Sequence, residues 1–427
     1  MQLEPDALRK RYVKVRTFSE QLCEPLCTED YIVQSMPDAS PTKWHLAHTT
    51  WFFDKFVLQD LCDQEPYDEQ FNYLFNSYYN AAGDQFPRER RGMITRPGVD
   101  EVYAYRNAID DELQDVMAAG GLSEEFALRL EVGLNHEQQH QELLLTDLKH
   151  LMWQNPLRPA IYAFEHEPFA AERRPTPRDM PRNSIDGGVY EIGHDGDGFS
   201  YDNERPRHEV LVQPFELARR PVTCAEYLQF INDGGYERHE LWLSEGWAKL
   251  AEDGWDSPLY WEKVDGDWHQ YTLSGLRPVQ LNEPVVHVNF YEAQAFAEWA
   301  GARLPSEIEW EIVAQKQIDK QQPFSEGGRG NFVESGEFHP HAVEPDPQGF
   351  TQLHGDVWEW TSSSYGPYPG FEPFDGALGE YNGKFMCSQY VLRGGSCATS
   401  RTHIRSTYRN FFYPGARWQF SGIRLAW

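Results

Sequence analysis

Between residues 154 and 186 the chain carries Pro156, Pro159, Pro168, Pro175, Pro177 and Pro181. Each fixes its own φ and removes a backbone donor, so no long helix or central strand can run through this stretch. The segment therefore divides the chain, and the two sides follow different patterns. A helical domain is expected over 1–153, an ordered linker over 154–186, and a second domain over 187–427. Tyr162, Phe164 and Phe169 make the linker too aromatic to read as simply disordered.

The first side reads as helices. Ser40 is a plausible N-cap with Pro41 at the first helical position. After it, Trp44, Ala47, Trp51, Phe52, Lys55 and Leu58 keep a helical period through TKWHLAHTTWFFDKFVLQDL. A second helix is expected from about Ser123, with Glu124 and Glu125 suiting the dipole of its first turn. Its apolar stripe runs from Phe126 through Leu130, Leu134, Leu144, Leu145, Leu148 and Leu151 to about Trp153. Shorter helical patterns lie at 5–24 and 99–118. Four helices of this kind suggest an antiparallel bundle.

From Gly187 onward, short strands and turns dominate: GGVYEIG, HEVLVQPFELA, QYVLRGGS and FSGIRLA. Helices are expected near TCAEYLQFIND and NFYEAQAFAEWAG. The fold class is thus α+β, with much irregular structure.

A formal charge of −29 argues against nucleic acid or an anionic membrane surface as a partner, since both need clustered Lys and Arg. The N-terminus has no apolar core for a signal peptide, and no stretch approaches the ~20 apolar residues that span a bilayer. None of Cys23, Cys27, Cys62, Cys224, Cys387 and Cys397 forms a CxxC pair. A reducing, cytoplasmic setting is expected, without a disulfide scaffold or zinc ribbon.

The segment NHEQQHQE places His136 and His140 four residues apart, on one helix face, where two imidazoles can share a metal ion. The same spacing also arises on solvated helix faces. Glu137, Gln138, Gln139 and Gln141 are positioned to hold the rings by hydrogen bonds. His48 sits beside Ala47, one turn from Trp44 and Phe52, so it points inward. It suits either a core histidine or a third ligand, and bundle cores do recruit metals from facing helices. His45 points about 60° away on the same helix. Three neutral imidazoles leave a divalent charge uncompensated, which suits a thiolate ligand and open positions for substrate or oxygen. In FNSYYNAAGDQFPRERRG, Tyr78 and Tyr79 lie near Arg88, Arg90 and Arg91. The segment reads either as a surface loop or as one bordering the metal, with a phenol for proton transfer and guanidinium forks for a carboxylate.

Taken together, SPTKWHLAHTTWFFDKFVL, FNSYYNAAGDQFPRERRG and GLNHEQQHQELLLTDLKH resemble the ergothioneine-biosynthesis sulfoxide synthases (EgtB type). RLPSEIEWE, LHGDVWEWT, YVLRGGSCAT and FSGIRLA resemble the formylglycine-generating-enzyme or sulfatase-modifying-factor domain. The resemblance implies a DinB-like four-helix bundle joined to a C-type-lectin-like domain that walls the substrate pocket. It implies His48, His136 and His140 as ligands of Fe(II), and does not carry over to His45. Tyr78 and Tyr79 match the active-site acids of one branch. Gln139, Asn410, Phe411 and Phe412 match residues that bind the histidine-derived substrate, and Arg88, Arg90 and Arg91 are candidates for the sulfur donor's carboxylate. Formylglycine-generating enzymes carry two catalytic cysteines after the GGS turn. Here those positions are Thr399 and Ile404, so that copper chemistry is not implied.

The reaction implied is O2-dependent coupling of a thiol to C2 of the imidazole of hercynine, with oxidation of the sulfur to a sulfoxide. Cysteine is favoured as donor, since FNSYY resembles the cysteine-using branch, and γ-glutamylcysteine is the alternative. Ovothiol-type and selenoneine-type synthases share the architecture. DinB-like bundles that hold zinc and transfer groups onto small thiols are a rival enzyme class. A non-catalytic binding module is a third reading. HDGDGFSYDNE (194–204) faintly resembles a calcium loop but reads as a turn, because Phe199 stands where an oxygen ligand is needed.

Overall fold

The computed structural model describes residues 5–163, 180–196, 198–318, 330–344 and 346–427. The expected linker thus lies partly outside the described residues, from 164 to 179. The chain forms two compact units. The first holds Met1–Leu157 with Asp197–Phe199 and Phe374–Tyr381, and the second holds the remainder.

The first unit is built on α1 (Pro5–Cys23), α2 (Thr42–Phe53), α3 (Val99–Ala119) and α4 (Glu124–Gln154). α2 packs against both α3 and α4, and α1 packs against α4 and α3. Every residue of α2 is buried, polar ones included. A helix covered on all sides needs no amphipathic stripe, and its polar groups must find partners inside. Lys43 Nζ accordingly donates to the carbonyls of Ile94 and Pro97, at 2.7 and 2.8 Å. The cap differs from expectation. Pro41 occupies the N-cap position, and no side chain caps the helix. The Ser40 hydroxyl accepts from Arg91 instead, and the Ser40 amide donates to Asp147. α4 begins as expected, with the Ser123 hydroxyl accepting the Phe126 amide. Its Gly133 faces α2 closely: a Cβ there would lie 2.4 Å from Phe53 Cε1. That approach brings the two histidine-bearing helices into contact.

The second unit opens with β1 (Arg182–Ile185), β2 (Gly188–Ile192), β3 (His208–Val212) and β4 (Phe215–Ala218). β1 pairs with β4 and β2 with β3, both antiparallel. Next come α5 (Cys224–Asn232), capped by Thr223, and α6 (Ser244–Asp253). β5 (Trp261–Val264), β6 (Asp267–Thr272) and β7 (Gly275–Pro278) form a three-stranded meander. α7 (Phe290–Trp299), capped by Asn289, and α8 (Glu307–Ile318) follow. A four-stranded sheet ordered β10-β9-β8-β11 closes the unit, from β8 (Trp358–Ser364), β9 (Tyr390–Arg393), β10 (Asn410–Phe412) and β11 (Ser421–Gly422).

The sequence reading placed two helices here and missed α6, α8 and the meander. The hairpin signal was present: Asp265-Gly266 joins β5 to β6 with φ of 53° and 97°, the positive values such a tight turn requires. The alternation around it is mixed polar and aromatic, which hid the strands.

Buried Arg–Glu pairs brace this unit. Arg424 grips Glu359, Arg393 pairs with Glu311, Arg409 with Glu307 and Arg220 with Glu226. Trp310 Nε1 also donates to Glu359, at 2.7 Å. All six cysteines are free thiols. Among the described residues no helix is long and apolar enough to cross a membrane.

Candidate metal centre

α2 and α4 bring His48, His136 and His140 together. One ring nitrogen from each lies within 4.8 Å of the others, and among the described residues this is the one such group. His48 Nδ1 lies 2.6 Å from the Phe75 carbonyl oxygen, which only accepts. The proton therefore sits on Nδ1, and Nε2 presents its lone pair to His136 Nε2 at 3.1 Å. Burial holds His48 well below the ordinary histidine range, and His136 nearby adds to this. Burial pushes His136 down to about 3. His140 is lowered by burial and by the imidazoles of His136, His48 and His45. All three rings are therefore neutral ligands at physiological pH, converging on a point that a cation would satisfy. The donor set fits a divalent metal with three nitrogen ligands and further positions left for small molecules.

Two residues next to the histidines, Glu137 and Gln141, do other work than expected. Glu137 is fully buried and turned toward α1 and α3, bonded to Arg16, Arg106 and Ser19 at 2.9, 2.6 and 2.6 Å. Gln141 donates to the Val15 carbonyl and Ser19. They fasten α4 in place, and the contacts to the rings come instead from Phe75 and from His45, whose Nδ1 lies 2.9 Å from His140 Nδ1.

Trp44 stacks on His48 at 4.4 Å and 14°. The Arg91 guanidinium lies 3.4 Å over the Trp44 ring. Arg91 is 3% exposed and, among the described residues, donates only to neutral hydroxyls, to Ser40 at 2.9 Å and Ser77 at 3.0 Å. Its Nε is buried with no partner among the described residues. Burial, with Arg88 nearby, disfavours its charge. Sequence reasoning could not rank the three arginines. The structure leaves Arg88 and Arg90 exposed and puts only Arg91 beside the histidines.

Asn76 shapes the tyrosine loop, its amide bonding to the Tyr79 carbonyl and amide and to the Gly83 carbonyl. Tyr79 is fully buried, packed on Phe56 at 4.8 Å and Trp51 at 5.9 Å. Tyr78 stacks on Tyr79 at 4.6 Å, and burial pushes its phenol up. Gln139 accepts a hydrogen bond from Tyr381, whose ring lies 5.7 Å from His136 and 6.2 Å from Tyr78. Glu380 fastens that segment, accepting from the Asn80 and Ala81 amides at 3.0 and 2.8 Å. Tyr381 carried no sequence signal. Asp147, which meets His45, did carry one, lying seven residues after His140 on the same helix face.

Asn410, Phe411 and Phe412 form β10 in the second unit, where Phe411 stacks on Tyr365 at 4.0 Å. In the calcium-like stretch, Glu204 pairs with Arg405 and Thr407 and Asp202 accepts from Asn382, while Asp197 lies outside the described residues. Thr399 accepts the Ser396 amide in an ordinary turn.

Residues 168–427 match the sulfatase-modifying factor enzyme 1-like domain, and 11–144 match the DinB superfamily. A hercynine oxygenase of Mycolicibacterium smegmatis is 32% identical, with 92% of each chain covered. One from Mycobacterium tuberculosis is also 32% identical, again over 92% of each chain. Ergothioneine biosynthesis protein 1 of Schizosaccharomyces pombe is 30% identical over 53% of this chain and 27% of its own. With both domains matched and similarity running along nearly the whole chain, the protein belongs to the hercynine oxygenase family.

Proposed function

We propose that the protein is a non-haem Fe(II)- and O2-dependent sulfoxide synthase of ergothioneine biosynthesis. It couples a thiol, cysteine or γ-glutamylcysteine, to C2 of the imidazole of hercynine. The observation that carries this reading is the convergence of His48, His136 and His140, held neutral by burial, in a chain of this family. Fe(II) held by these residues would supply redox activation of O2 beside a thiolate whose proton its charge removes.

The surrounding residues have distinct tasks. Arg91, a buried cation without a carboxylate partner among the described residues, receives the carboxylate of the sulfur donor. Its serine partners and the Trp44 face fix the fork before the ligand arrives. Tyr78 keeps its proton at physiological pH and, with Tyr79, forms the acid pair beside the centre. Gln139, Asn410, Phe411 and Phe412 are assigned to hercynine.

The test is one assay. Anaerobic protein is loaded with Fe(II), given hercynine and cysteine, and exposed to air, and the coupled sulfoxide is sought by mass spectrometry. Its absence in favour of cysteine sulfinate would overturn the acceptor or the donor, and γ-glutamylcysteine and histidine then separate the two.

Replacing Arg91 with methionine is expected to lower kcat/KM for cysteine about 10- to 100-fold, the value of a charge-assisted hydrogen bond. Cysteamine, which has no carboxylate, should change less than about threefold. Equal losses for both thiols would remove Arg91 from this role. For the acid pair, Tyr78→Phe and Tyr79→Phe are compared by product ratio. The variant lacking the acid should shift from coupled sulfoxide toward sulfinate by about 100-fold, and one that keeps the wild-type ratio is not the acid.

A further inference from the structure

His45 and Asp147 form a directed chain ending on His140. His45 Nδ1 is 2.9 Å from His140 Nδ1, and His45 Nε2 is 3.1 Å from Asp147 Oδ2. The same Asp147 oxygen accepts the Ser40 amide at 2.8 Å, which anchors the carboxylate two residues before α2 begins. His45 is 3% exposed and Asp147 6%, so neither faces water.

Hydrogen-bond chemistry fixes the direction. An ionised carboxylate only accepts, so His45 Nε2 carries a proton and donates it to Asp147. With that one proton on the ring, His45 offers an acceptor at Nδ1. His140 must donate from its own Nδ1, which leaves Nε2 with the lone pair for an ion. His48 reaches the same state through a different partner, the Phe75 carbonyl. Two of the three rings are thus set to one tautomer by separate devices.

We infer that His45 and Asp147 are positioning residues for the metal centre: they fix the tautomer and rotation of His140 and strengthen it as a ligand. This rests on the reading that the histidine trio holds a metal ion, and not on which reaction follows.

The experiment is a titration of the apo full-length protein with Co(II) and with Zn(II), in competition with a chelating dye. His45→Phe, His45→Asn, Asp147→Asn and wild type are compared, with the melting of each apo protein measured alongside. His45→Phe removes the acceptor and should weaken binding about 10- to 100-fold. In His45→Asn the side-chain oxygen stands close to where Nδ1 stood, so most of the affinity should return. Asp147→Asn keeps the shape and loses the charge, and should fall between His45→Phe and wild type. A merely structural role would lower the apo melting temperature and leave affinity unchanged, which overturns the inference. Affinities of His45→Phe and Asp147→Asn both within twofold of wild type overturn it as well. If His45→Phe does not fold, Asp147→Asn against wild type decides. Failure of wild type itself to bind either ion would instead overturn the metal reading.

Discussion

Glu137→Ala is expected to destabilise the first unit by about 3–5 kcal/mol, because it removes the buried carboxylate that Arg16 and Arg106 share and leaves each with one remaining carboxylate, Asp110 and Glu20. Glu137 is 1% exposed, between Arg16 at 2% and Arg106 at 0%. Burial alone would raise its pKa. Arg106 and Arg16, aided by the Ser19 hydroxyl, overcome that and hold it down to about 2. A folded-state value below the unfolded one means that the stabilisation is present above about 4.5 and is lost as pH falls from there toward about 2. The size agrees: a shift of that span corresponds to about 3 kcal/mol. His136 adds an acid-sensitive term of its own. Its folded value of about 3 lies below the ordinary 6.5, so the unfolded chain takes the proton first, and stability falls from about pH 6.5 downward. Chemical denaturation of the metal-free protein across pH 7 to 3 measures both. In Glu137→Ala the stability at pH 7 should drop, and the slope below pH 4.5 should flatten while the slope between 6.5 and 4.5 persists. An unchanged slope below 4.5 would show that Glu137 is not the group titrating there.

What could be read from the sequence follows from how locally each feature is encoded. The cap at Ser123, the helical stripe after it and the paired histidines are short-range signals, and the structure has them where the pattern put them. The motifs that mark the second unit encode something more physical than a signature. Glu307 and Glu311 of RLPSEIEWE, Glu359 of LHGDVWEWT, Arg393 of YVLRGGSCAT and Arg424 of FSGIRLA all take part in its buried ion pairs. Each of these residues without its partner would be a lone buried charge. Other parts of the site were out of reach for a physical reason. Tyr381 meets Gln139 across 242 residues of sequence, and nothing local predicts such a contact. Choosing Arg91 over Arg88 and Arg90 needs burial, which only the packed loop defines. The roles of Glu137 and Gln141 were misread because helical spacing says which residues share a face and not which neighbour that face meets.

His136→Ala is expected to lose the metal and, with it, the coupled product by at least about 1,000-fold, since the centre contributes several kcal/mol of activation and one of its three ligands is gone. The side chain is buried between Phe52 at 4.9 Å and His48 at 3.1 Å. It makes no hydrogen bond through Nδ1 among the described residues, so its loss costs the apo fold packing and a single polar contact, the one from Nε2 to His48. Metal content and apo melting should therefore separate in this variant: bound iron falls sharply, while the melting curve keeps its cooperative form. That separation distinguishes the candidate readings. A non-catalytic binding module predicts full function in His136→Ala. A zinc thiol transferase predicts the same loss of metal, so wild type must be compared with it on a second axis. Wild-type protein loaded with Fe(II) should consume O2 only when hercynine or thiol is present, and Zn(II) in its place should abolish product. If zinc-loaded wild type transfers a group to the thiol without consuming O2, the same three histidines serve Lewis-acid chemistry and the oxygenase reading fails. The trio alone is compatible with either ion. It is the similarity along nearly the whole chain to hercynine oxygenases that favours oxygen chemistry over thiol transfer.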